Sequence, residues 1–205
     1  VQHLEIARPH CAQQLDQAGR KAEAIAAAEQ AVSLSRKQLS AEHKTTGILL
    51  SQLGYFYRDS GRYADAENVL KTAIAILERD RGPKLDLAQA INNLASVYLN
   101  QELYPETEQL FRRTLVLYEQ LPDRKQRNFL RGNANNNLAV LYGNQANTLT
   151  DNGQLAEANA AYDRMIAMLS EVITLWTKEL GADNALAVQC DVTDEAQVVA
   201  MYDAA

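Results

Sequence analysis

The sequence predicts an all-α chain, an α-solenoid of about four antiparallel helix pairs with the fourth pair elongated and a capping helix at the C-terminus. Three observations predict it. The stretch Leu50–Glu78, LSQLGYFYRDSGRYADAENVLKTAIAILE, returns at Ile91 as INNLASVYLNQELYPETEQLFRRTLVLYE. Self-similarity at a fixed period marks helical units that bury their faces on one another. A small residue recurs at Ala24, Ala66, Thr107 and Ala158, in steps of 42, 41 and 51, so one template can be laid four times. With only 9 Gly and 4 Pro in 205 residues the helices run uninterrupted, and 47% hydrophobic content fills a continuous core.

The units are expected at about 5–40, 43–81, 84–121 and 123–181, within a repeat body of residues 1–182 that precedes an acidic tail at 183–205. Each first helix carries a small residue and a tyrosine, Gly54/Tyr57, Ala95/Tyr98 and Ala139/Tyr142. Small residues allow close helix approach, and the tyrosines fill the space between successive pairs. Gly19, Gly61 and Gly153 stand where the chain must turn left-handed to reverse. In the third unit Glu102 takes that place, followed by Pro105 in the first turn of the next helix, where its missing N–H costs nothing. Pro83 and Pro122 put the joints between units near 80–84 and 120–124.

The fourth unit departs from the template. Tyr57 lies 4 positions before Gly61, but Tyr142 lies 11 before Gly153, an insertion of 7 residues. Seven residues make almost two helical turns and leave the buried face pointing the same way. With Leu169, Val172, Ile173, Trp176 and Leu180 at helical spacing, two long antiparallel helices are expected at about 123–151 and 155–180. The alternative is a polar loop at 143–153, because Asn144, Asn147, Asp151, Asn152 and Gly153 are poor helix formers. In the tail, Thr193 before Asp194 and Glu195 is a good helix start, and Ala196, Val199 and Met201 or Tyr202 would let a helix near 194–204 cap the last unit.

On one helix stand Leu50, Leu53, Gly54 and Tyr57, and on the next Ala66, Leu70 and Ala73. This pattern resembles the tetratricopeptide repeat. The longer period, with INNLASVY, NNNLAVLY and the helix end KELGAD, is similar to the kinesin-light-chain subtype, in which a loop of six to ten residues joins the units. The resemblance covers about residues 5–182. It is looser in the first unit, where Leu15 stands at the tyrosine position, and in the fourth, where Met165 replaces a small residue. It implies a right-handed solenoid that binds a peptide segment or partner protein and performs no catalysis.

A second resemblance is confined to the tail. ALAVQCDVTDEAQV, residues 185–198, is similar to the third-strand segment of short-chain dehydrogenases, in which the aspartate matching Asp191 lies near the adenine of a dinucleotide. No glycine-rich turn follows a strand, and no tyrosine has lysine four positions on. A chance match, the start of a fused dehydrogenase domain and foreign sequence remain as explanations, and no cofactor is expected.

Charge narrows the partners. The net charge is −6, but Asp183, Asp191, Asp194, Glu195 and Asp203 lie in a tail that holds no Lys or Arg; the body keeps 21 acidic against 20 basic residues. A nearly neutral body argues against nucleic acid, which needs clustered positive charge. No apolar run is long enough to span a bilayer, so no membrane partner is expected. Cys11 and Cys190 form no disulfide framework or zinc pattern, and His3, His10 and His43 have no metal-ligand spacing. A cytoplasmic location is the resulting expectation.

Helical spacing from the small residues places the concave face of the first helices. Unit one presents Gln13, Asp16 and Gln17; unit two presents Ser51, Gln52, Tyr55, Arg58 and Asp59. Unit three adds Gln89, Asn92, Asn93, Ser96 and Asn100, and unit four Asn133, Asn136, Asn137, Val140 and Asn144. Carboxamides both donate and accept, so such a face can satisfy the N–H and C=O groups of an extended peptide without depending on its side chains. The resemblance places this role on Asn92, Asn93, Asn136 and Asn137. Alternatively these asparagines bond neighbouring first helices, or are only solvated. A carboxylate clamp is not expected, because no lysine lies on the face and Arg58 is its only base. Arg124, Lys125, Arg127 and Arg131 form a basic run that either meets an acidic motif or is a solvated helix face. Self-assembly through exposed end helices, as a homodimer on the long fourth pair, is the competing reading.

Overall fold

The computed structural model describes residues 12–82 and 84–180. All regular structure among them is helical. A helical stretch at 12–17 (α1) is followed by α2 (Lys21–Gln38), α3 (Lys44–Asp59), α4 (Tyr63–Arg79) and α5 (Leu85–Asn100). Then come α6 (Tyr104–Glu119), α7 (Arg124–Asp151) and α8 (Leu155–Leu180). The chain divides into two compact units at Gln101/Glu102.

In the first unit successive helices pack as hairpins, and α3 also packs beside α5. The small residues make this possible. Ala24, Ala66 and Ala95 are fully buried, and a Cβ placed on Gly54 would lie 2.4 Å from Leu70 Cγ. Only glycine lets α3 and α4 close to that distance. Leu50, Leu53, Leu70, Leu77, Ile91 and Leu94 fill the core around the contact. At the sharp turn after α3, Gly61 has φ +74°, the left-handed conformation expected for it. The side chain of Lys44 holds both Asp80 and Asp86 at 3.0 Å, which ties the start of α3 to the α4–α5 joint.

The second unit runs from Glu102, whose φ of +59° is the left-handed value that glycine takes in the other turns. Thr107, in place of an alanine, is fully buried and donates its hydroxyl to the Leu103 carbonyl at 2.8 Å, so no polar group is orphaned there. Helices α7 and α8 are 28 and 26 residues long, against 16–18 for α2–α6. The polar stretch from Gly143 is therefore helix, not loop, up to Asp151. Ala146 in it is fully buried, Tyr104 Oη meets Thr148 Oγ1 at 3.0 Å, and Tyr162 donates to Asn147 Oδ1 at 2.8 Å. The hydroxyls of Thr148 and Thr150 donate to the carbonyls of Asn144 and Ala146 one turn earlier in the helix. One turn before Ala139, where the other units bury Leu50 and Ile91, α7 buries Asn135 with its Nδ2 lacking a hydrogen-bond partner.

A tyrosine–carboxylate bond joins neighbouring pairs within each unit. Tyr57 donates to Glu29 at 2.6 Å, Tyr98 to Glu67 at 3.0 Å, and Tyr142 to Glu108 at 2.9 Å. Burial and the Glu29 carboxylate push the Tyr57 phenol up to about 12. The expected capping helix near 194–204 and the dehydrogenase-like segment 185–198 lie outside the described residues.

Candidate functional site

The packing of α3 beside α5, with α1 on the other side, forms an open groove of about 460 Å³ in the first unit. Amide side chains dominate its lining: Gln13 and Gln17 from α1, Gln52 from α3, and Gln89, Asn92 and Asn93 from α5. They project together because Gln89 precedes Asn92 and Asn93 by three and four positions on one helix face. Tyr55 is 36% exposed, and its ring is held by Phe56 edge-on at 5.4 Å and by the Arg58 guanidinium at 4.8 Å. Burial, followed by the nearby Asp16 carboxylate, raises the pKa of the Tyr55 phenol.

Not every expected member faces the groove with a free polar group. Ser51 is buried and takes a hydrogen bond from Asn93, whose Nδ2 lies 3.3 Å from Ser51 Oγ and 3.4 Å from its carbonyl. Asn93 thus joins α5 to α3. The Ser96 hydroxyl donates to the Asn92 carbonyl at 3.0 Å. Arg58, Asp59, Ser96 and Asn100 line an adjoining cleft, not the groove itself, together with Tyr63 and Leu99. Asp59 there is paired with Lys21 at 2.6 Å.

In the second unit Asn133, Asn137, Val140 and Asn144 follow one another at helical spacing along α7, with Asn136 beside them. Asn133 and Asn144 are exposed, and Asn136 and Asn137 are half-buried. The basic run on the same helix is largely engaged. Arg127 donates to the Leu121 carbonyl at 2.8 Å, and Arg131 bridges Glu119 and Glu171 at 2.9 Å each.

Sequence spacing overlooked Ile48 and Asp86, which line the groove one turn before Gln52 and Gln89. Extending each face by a turn toward the helix start would have found them. It also overlooked Phe129, 58% exposed one turn before Asn133. His43 is accounted for as a helix cap, its Nδ1 accepting from the Thr45 N–H at 3.1 Å.

Two models described as tetratricopeptide repeat match residues 10–79 and 87–121, together half of the chain. The chain belongs to the tetratricopeptide repeat family. Repeats of this family are protein–protein interaction modules, generally without catalysis. The fold is shared with crystal structures of kinesin-light-chain, nearly identical TPR-like repeats from Podosopora anserina. One is 18% identical over 96% of this chain and 93% of that one, with a TM-score of 0.59. A substituted form is 17% identical over 89% of each chain, with a TM-score of 0.58. A search of curated proteins returned no match. Among the described residues of this repeat protein no helix is long and apolar enough to cross a membrane, and no group of His, Cys, Asp and Glu is arranged to hold a metal ion.

Proposed function

We propose that this repeat protein is a non-catalytic interaction module that holds an extended peptide segment of a partner in the amide-lined groove of its first unit. The single observation that carries the reading is the lining itself. Six carboxamides from α1, α3 and α5 converge on one open groove beside a half-exposed tyrosine. An extended peptide presents an N–H and a C=O at every residue, and each group left unpaired on binding would cost about 1–3 kcal/mol. Amides meet both kinds of group, so the groove selects for extended backbone before side chain.

The test is selection of a displayed library of random twelve-residue peptides on the full chain, beside a Gln52→Ala/Gln89→Ala variant. These two truncations remove groove amides but keep the Asn93–Ser51 bond, so helicity and melting stay near wild type. Peptides retained by the wild type and lost by the variant support the reading; equal retention by both contradicts it. Asn93→Ala is the poorer probe, because it also releases α5 from α3.

Self-association through the long fourth pair is a second reading, favoured by Leu155 at the start of α8, which is 62% exposed. Sedimentation showing mass that rises with concentration, and that falls back with Leu155→Ser, would establish it.

A further inference from the structure

The charged groups around the groove are unevenly disposed. Among the described residues its lining includes two carboxylates, Asp16 on α1 and Asp86 on α5, and no lysine or arginine. The bases in the vicinity are already committed. Lys44 sits between Asp80 and Asp86 at 3.0 Å from each, and the Lys84 ammonium is held by the carbonyls of Asp80 and Glu78. Lys21 is bound to Asp59 at 2.6 Å, and Arg58 stacks on the Tyr55 ring and lines the neighbouring cleft. Asp16 is half-buried at the groove wall, beside the Tyr55 hydroxyl.

We propose that the segment bound in this groove carries a lysine or arginine, whose cationic end is received by the Asp16 carboxylate while the amides hold its backbone. The inference rests on the groove being the peptide site and adds the chemistry of the occupant. A ligand cation gains from the carboxylate through a charge-assisted hydrogen bond. An acidic segment meets the Asp16 carboxylate and, among the described residues, no cation on the lining, which is a repulsive element against the wrong partner. The carboxamides of the lining carry no charge of either sign.

The experiment uses the same displayed library on the full chain, with Asp16→Asn as a second variant. Enriched peptides are expected to gain Lys or Arg and to lose Asp and Glu. For one enriched peptide, replacing its base by glutamine is expected to weaken binding about tenfold, and Asp16→Asn to weaken the parent peptide by a similar factor. The glutamine peptide is expected to be indifferent to Asp16→Asn, since the pairing is already gone. If the enriched peptides depend on Gln52 and Gln89 but show no basic preference, or Asp16→Asn changes nothing, the charge inference is overturned and the groove reading stands. If no peptide is enriched, or enrichment ignores Gln52 and Gln89, both fall together.

Discussion

At the scale of the residue, two backbone positions decide whether the hairpins close. Gly54 has no room for a methyl group, since its Cβ would sit 2.4 Å from Leu70 Cγ in a fully buried contact. Gly54→Ala is expected to cost about 1–3 kcal/mol, measured as a lower denaturant midpoint with an unchanged slope. Glu102 is the converse case: a side chain in a conformation that costs an L-residue roughly 1–2 kcal/mol. Glu102→Gly is therefore expected to raise stability by about 1 kcal/mol, with no gain indicating that local contacts already offset the strain. Both features were legible in the sequence, because glycine at the repeated turn and at the helix contact follows from the template alone. The Asn93–Ser51 bond was not legible. It depends on how closely α3 and α5 approach, and no periodicity reports that distance.

At the scale of the element, the fourth pair is the departure from the template that most changes the surface. The insertion count anticipated two long helices, and α7 and α8 end within a residue of the expected limits. Propensity alone favoured the loop alternative for 143–153. Tertiary partners decide otherwise, through buried Ala146 and the bonds of Thr148 to Tyr104 and Asn147 to Tyr162. Asn147→Pro should distinguish helix from loop energetically. Within a helix it is expected to cost about 3 kcal/mol and to lower helicity, whereas little change in circular dichroism or unfolding midpoint would mean that the stretch contributes no stable helix. The buried Asn135 escaped the sequence reading, which named Asn136 and Asn137 beside it and drew nothing from an asparagine at the place of Leu50 and Ile91.

At the scale of the whole molecule, the tyrosine–glutamate bonds recur in both units and give stability a common pH dependence. Tyr57 and Tyr118 are each pushed from 10 up to about 12, Tyr57 by burial and then Glu29, Tyr118 by burial. A raised folded-state value means that the contribution is fully present below about pH 10 and is lost as pH rises toward about 12, because the unfolded chain ionises first. Phenolate absorbance is expected to show late-titrating tyrosines, fewer of them in Tyr57→Phe/Tyr118→Phe; titration of every tyrosine near 10 in the folded protein would contradict this. Fold class was legible at this scale because repetition multiplies a weak signal. The groove was legible in its amide character and not in its charge, since that depends on which carboxylate Lys44 and Lys21 pick as partners. The most direct measurement is the nuclear magnetic resonance spectrum of the nitrogen-labelled full chain titrated with a library-selected peptide. The account expects saturable shifts in the side-chain amide signals of Gln52, Gln89 and Asn92; shifts confined to α7 and α8, with those amides unmoved, would contradict it.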